Sequence, residues 1–221
     1  MVVVERRDSL FLVPLAGADV DVAEWQRARM LGGMARAVAA KGYARVTVAD
    51  VVGLAGVSRR TFYEQFTDKE DCFLAAYQTG GEFLGADIVA AIAELPPEAG
   101  WRERLEVGMR RYTAVLAADP GFARAFVIDV LGAGPRAVEL RRRGQERFIG
   151  LFRRLSERAV REDAAVGPVP DLFLCALVGG ISELVQRQIL DEGAEGLIDL
   201  APGLTELAAA VITGAPRADV R

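Results

Sequence analysis

The chain is 221 residues long, with 27 Lys+Arg against 31 Asp+Glu, 52% hydrophobic and 7% aromatic residues, a composition that excludes a disordered chain and fits one large or two small globular domains. It contains no histidine, which rules out an imidazole base, a Ser-His-Asp triad and any His-ligated metal site. Its two cysteines, Cys72 and Cys175, stand far apart in apolar stretches and read as small hydrophobes in a reducing compartment.

The opening MVVVERRDSLFLVPLAGADVD sets Arg6 and Arg7 before a short apolar run, Leu10 to Ala16. No clear small-residue cleavage pattern comes after it, so residues 1–22 read as a variable N-terminal tail. The longest strongly apolar run, Leu172 to Ile181, is shorter than the ~18 residues a bilayer span needs. A cytoplasmic protein with no membrane partner is expected. The net charge of −4 hides an asymmetry: residues 24–70 hold eight basic and five acidic side chains, leaving −7 elsewhere. A small basic module is attached to an acidic body.

Ala28, Leu31, Met34, Ala35 and Val38 fall at helical spacing over 24–40, and Gly42 stands where a helix C-terminus favours it. Thr47 with Asp50 opens a second, eight-residue helix in capping-box style, and Gly56 ends it. Ser58 caps a third helix, SRRTFYEQF, whose Phe62 and Phe66 lie one turn apart. Thr67 with Glu70 predicts another capping box before a fourth helix carrying Phe73, Leu74, Ala76 and Tyr77. Gly80, Gly81 and Gly85 loosen the chain beyond Tyr77, Pro96-Pro97 break it, and a domain boundary is placed near 80. Further helices are predicted over 101–118, 121–132, 136–163, 170–191 and 202–213. The fold class is all-α: a three-helix helix-turn-helix head (23–79) and a C-terminal helical bundle (80–221).

The short helix, the turn Ala55-Gly56-Val57 and a second short helix opening on polar and basic residues suit a helix-turn-helix. Gly56 permits the positive φ of the turn, while Val51, Leu54, Val57 and Phe62 supply the apolar faces that lock the helices. The second helix can then enter a major groove N-terminus first, with Ser58, Arg59, Arg60 and Thr61 offered to phosphates and base edges. Tyr63 lies a turn further on, Lys69 opens the fourth helix, and Thr47 can reach a phosphate across the groove.

The stretch TVADVVGLAGVSRRTFYEQFTDKEDCFLAAY resembles the DNA-binding head of the TetR family of bacterial transcriptional regulators, through GVS, the T-F-Y triplet, Phe66 and K-E. The resemblance implies a homodimer on palindromic double-stranded operator DNA, DNA contacts at Thr47, Ser58, Arg59, Arg60, Thr61, Tyr63 and Lys69, and a body that binds a small effector. Val52 stands where the family has a small Ala. Ala49 stands where some members place a basic base-reader, which leaves base recognition to the third helix.

In the body, Met109, Tyr112, Phe122, Phe126, Phe148 and Phe152 are candidates for the lining of an apolar effector pocket. Leu177, Ile181 and Leu184, with Gly179-Gly180 allowing close approach, and Leu204, Leu207 and Val211 are candidates for a dimer interface built from the last two helices. No phosphate loop, nucleophile elbow or metal-spaced cysteine pair occurs. The expected protein is therefore not an enzyme and needs no cofactor or metal. It is a ligand-responsive regulator, in the usual case a repressor; the alternatives are a regulator without a small-molecule ligand, or one acting through a protein partner.

Overall fold

The structure, a computed structural model, describes residues 21–214. The tail expected over 1–22 lies, but for its last two residues, outside the described residues. The helices are α1 (Val22–Lys41), α2 (Val48–Ala55), α3 (Arg59–Gln65), α4 (Lys69–Ala93), α5 (Trp101–Ala118), α6 (Pro120–Val127), α7 (Pro135–Glu162), α8 (Asp171–Asp191) and α9 (Leu197–Gly214), with 3-10 turns at Tyr43–Arg45 and Asp129–Gly132. No strand occurs among the described residues, and the fold is all-α.

The chain divides into two compact units. The first comprises residues up to Gly80 together with Ala118–Val138, and the second comprises Gly81–Ala117 and Glu139 onward. One division thus falls after Gly80, but α6 and its 3-10 turn pack with the head, whereas the linear pattern predicts all of 80–221 in the body.

In the first unit, α1 is capped by Asp21, whose side chain accepts from the Ala23 N–H, and ends at Gly42 with φ 74°. Its buried face of Met30, Leu31, Met34, Ala35 and Val38 packs on α2. Phe62, Phe66, Phe73 and Tyr77 complete the core. Helix α6 also lies on α1, and the closeness of that contact depends on Gly121: a Cβ there would overlap the Ala39 side chain. A Cβ on Gly80 would likewise overlap the Phe122 ring. Gly80 is therefore needed inside a continuous helix, and the loosening expected at Gly80, Gly81 and Gly85 does not occur: α4 runs unbroken to Ala93.

Two further differences are local. The start of α4 is capped by Asp68, whose Oδ1 accepts from the Asp71 N–H at 2.8 Å, while Thr67 donates its N–H and hydroxyl to Asp71. The box expected between Thr67 and Glu70 is thus replaced by one a residue further on, and Glu70 faces Arg136 at 3.9 Å. The helix predicted over 121–132 ends at Val127 and continues as the 3-10 turn Asp129–Gly132.

In the second unit, Arg111 makes a two-pronged ion pair with Asp87, tying α5 to α4, and Arg102 pairs with Glu206 of α9 at 2.5 Å. Ala159, Val166 and Ile212 form a core cluster with Trp101, Leu155 and Val160 packed against it. Helix α9 begins five residues before the predicted start and carries Pro202 within it. Pro202 is exposed, so the carbonyl it leaves without an N–H partner can be met by water.

Candidate DNA-binding interface

Helices α2 and α3 are set by caps written into the sequence. Thr47 Oγ1 accepts from the Asp50 N–H at 3.3 Å, and Asp50 Oδ2 accepts in return from the Thr47 N–H at 2.7 Å. The Thr47 hydroxyl also donates to Asp50 Oδ2, at 2.5 Å. Lys41 stands 2.6 Å from the same carboxylate and, together with Thr47, holds its pKa well below the usual carboxylate range. The turn closes on Gly56 in the left-handed region, φ 63°, where a side chain would be strained. Ser58 Oγ then accepts from the Thr61 N–H at 3.0 Å and caps α3.

Long-range contacts that no local pattern announces hold this hairpin on α1. Arg36 Nη2 donates to the Leu54 carbonyl at 2.8 Å, meeting one of the orphan carbonyls at the end of α2. The Arg27 guanidinium lies 4.5 Å from the centre of the Phe66 ring. Val51 and Phe62 are fully buried, as the motif requires; Leu54, expected beside them, is exposed, and Ala55 is buried instead.

The outward face of the motif carries most of the expected contact residues. Ser58, Arg59, Arg60 and Tyr63 are exposed on α3, Thr61 is half-buried, and Thr47 is exposed at the start of α2. Arg59 makes no ion pair among the described residues. Arg60 pairs with Glu64 at 3.0 Å, but its side chain is 90% exposed, so this pair is weak and water-screened. Tyr63 presents 58% of its surface to solvent, a large fraction for an aromatic side chain.

Lys69 is placed differently from the other six. Its ammonium lies 3.3 Å from the Tyr43 carbonyl, 3.3 Å from that of Ala44 and 3.0 Å from that of Val46. It also stands 4.7 Å from the centre of the Tyr43 ring. Its expected phosphate contact therefore competes with three backbone acceptors in its own chain.

The six pocket candidates fall in both units. Phe122 and Phe126 belong to the first unit, where their rings stack at 5.2 Å and Phe126 stacks on Tyr77 at 4.9 Å. With Met34, Val38 and Phe73 they border a crevice with room for little more than a water. Met109, Tyr112, Phe148 and Phe152 belong to the second unit, where Tyr112 and Phe148 meet edge to face at 6.0 Å. Three buried hydroxyls of that unit turn back on their own helices: Thr113 donates to the Met109 and Arg110 carbonyls, Ser156 to Arg153 and Thr205 to Ala201.

The interface candidates also divide. Leu177, Ile181 and Leu204 are buried within this chain. They lie on α8 and α9, which pack on each other. Leu184 and Leu207 are exposed, and Val211 is half-buried. The exposed apolar set of these helices is Leu172, Phe173, Leu184, Leu190, Ile198 and Leu207. A Cβ on Gly179 or Gly180 would meet nothing within 4 Å. Both helices are long and apolar enough to cross a membrane by length and composition.

A short capped helix, a left-handed glycine turn and a second helix offering arginines and a tyrosine define a helix-turn-helix DNA-binding protein of all-helical architecture. Residues 34–76, the segment that holds α2 and α3, match the family model for bacterial regulatory proteins of the tetR family. Solved structures share the fold. The regulator FadR from Bacillus subtilis, in complex with stearoyl-CoA, superposes with a TM-score of 0.72 at 16% identity, covering 81% of this chain and 96% of that one. FadR from Bacillus halodurans, a fatty acid degradation regulator, gives 0.71 at 18% identity over 81% and 96%. A tetR-family regulatory protein from Rhodococcus RHA1 gives 0.67 at 19% identity over 87% and 98%. No curated protein matches the sequence significantly.

Proposed function

We propose that this chain is a DNA-binding transcriptional regulator of the TetR family, an effector-released repressor that binds a palindromic operator as a homodimer in the cytoplasm. Ser58, Arg59, Arg60, Thr61 and Tyr63 make the base and phosphate contacts, and Thr47 meets a phosphate across the groove. The observation that carries this reading is the outward face of α3, where Arg59 is without an ion pair among the described residues and Tyr63 is exposed beside it. A residue with no structural task that offers a bidentate donor at a helix N-terminus is placed to read guanine O6 and N7.

The effector is apolar and sits in the second unit, among Met109, Tyr112, Phe148 and Phe152. Three of these four side chains carry no N–H or O–H group, which suits an apolar ligand. The stearoyl-CoA of the Bacillus subtilis FadR structure supplies the class to try first, a long acyl chain. The second copy covers the exposed apolar residues of α8 and α9, which accounts for their hydropathy without a membrane.

The deciding experiment is footprinting on DNA upstream of the protein's own gene, with salt titrated and acyl-CoA added. A palindromic, salt-sensitive footprint that stearoyl-CoA abolishes is the expected result. A symmetric footprint indifferent to acyl chains removes the effector class, and binding without symmetry removes the dimeric operator.

A further inference from the structure

We propose that Lys69 is a positioning residue of the DNA-binding head and not a phosphate ligand. The inference rests on the DNA-binding reading of α2 and α3 and concerns what holds them in place. An ammonium has three N–H donors and no acceptor. At Lys69 there are three acceptors within hydrogen-bond distance, the carbonyls of Tyr43, Ala44 and Val46. All three belong to the 3-10 turn that comes after α1 and to the residue next to it. The Tyr43 carbonyl also accepts from the Val46 N–H at 3.2 Å, whereas those of Ala44 and Val46 accept from no backbone N–H among the described residues and have the most to gain from a cation. The Tyr43 ring below the ammonium adds a cation–π contact.

The two ends of this contact bracket the DNA-binding elements. Val46 immediately precedes Thr47, the capping residue of α2, and Lys69 is the first residue of α4. The segment between them contains α2, the turn and α3 in full. Joining Val46 to Lys69 closes that segment at its base, so both contact elements spring from one fixed point. Thr47 gains most directly, since the Val46 carbonyl that Lys69 holds lies in the peptide leading into it. A phosphate at the same ammonium would have to displace these carbonyls and loosen the element that contacts DNA.

Lys69→Met tests this, because the variant keeps the alkyl stem over Tyr43 and removes only the charge and donors. Two measurements are made on the full-length protein. The first is amide hydrogen exchange of residues 43–50 in the free protein. The second is the salt dependence of binding to a duplex that the wild type selects from a randomised library. The expected result is faster exchange at 43–50 and binding weakened about tenfold or more, with the slope of log affinity against log salt unchanged. A slope shallower by about 0.9, the amount one lost phosphate contact removes, with exchange unchanged, would overturn the proposal and make Lys69 a phosphate ligand. Faster exchange with unweakened binding would also overturn it, leaving a purely structural lysine. Arg59→Ala on the same duplex checks the DNA reading of α3 separately, since its effect does not pass through the 43–50 turn.

Discussion

At the scale of single residues, the two arginines that open α3 are neighbours with different constraints. Arg59 is unpaired among the described residues, whereas Arg60 gives its Nε–H to Glu64 and keeps its Nη donors for another partner. Because that exposed pair is worth little, both substitutions are informative. Arg59→Ala is expected to weaken operator binding by about 1–3 kcal/mol and to relax preference at one base position. Competition binding against single-base operator variants reads both effects; a uniform loss across all variants would make Arg59 a backbone contact instead.

Asp129 shows the opposite situation, a charge that the fold tolerates. Burial raises its pKa, and Arg124 at 3.6 Å and the Tyr43 N–H only partly offset that. Oδ2 is buried without a hydrogen-bond partner among the described residues. The raised pKa fixes the sign of the linkage. The protonated form is favoured by folding, so its contribution is present in acid and is lost as pH rises through the shifted value. At neutral pH the ionised Asp129 therefore opposes folding. Asp129→Asn is expected to raise the melting temperature at pH 7, with the advantage disappearing once the medium is acid enough to protonate the wild-type carboxyl. Melting curves at both pH values check it, and a less stable Asn variant at pH 7 would show that the Arg124 attraction outweighs desolvation.

At the scale of elements, the caps of the head were legible because they are local. Thr47 with Asp50, Gly56, and Ser58 act on backbone groups within four residues, so the sequence alone placed α2 and α3. The partners of the caps were not legible. Lys41 reaches Asp50, Arg36 reaches Leu54 and Lys69 reaches the 43–46 turn only after three helices have packed. The same limit hid the place of α6. Gly80 looks like a helix breaker and Gly121 like the mere start of a helix in a linear reading, and only the closeness of Phe122 and Ala39 shows that they are contact points. Gly121→Val is therefore expected to destabilise the protein by about 1–3 kcal/mol through overpacking. Gly53→Ala, in α2 with open space around the position, is expected to stabilise by about 0.4–1 kcal/mol. Urea unfolding midpoints of the pair check both signs, and a neutral Gly121→Val would mean that α6 is not held closely on α1.

At the scale of the whole molecule, the division of α8 and α9 into an inner and an outer apolar face decides how dimerisation is to be tested. Ile181 and Leu204 are inner residues, 6% and 1% exposed. A charge at either would be buried unpaired, which costs several kcal/mol and unfolds the monomer instead of separating two of them. Leu184 and Leu207 are outer residues on the two helices, and a charge there stays in water when the protein is alone. Leu184→Glu combined with Leu207→Glu is accordingly expected to leave the helix content and melting of a folded chain while shifting sedimentation from dimer to monomer. Because a palindromic operator draws its affinity from two linked heads, the same variant should also lose operator binding steeply while its separate heads keep the weak, salt-dependent affinity for any duplex. A variant that remains dimeric would move the interface to another surface, and a monomer that still holds the operator with full affinity would show that the two heads need no joined bodies.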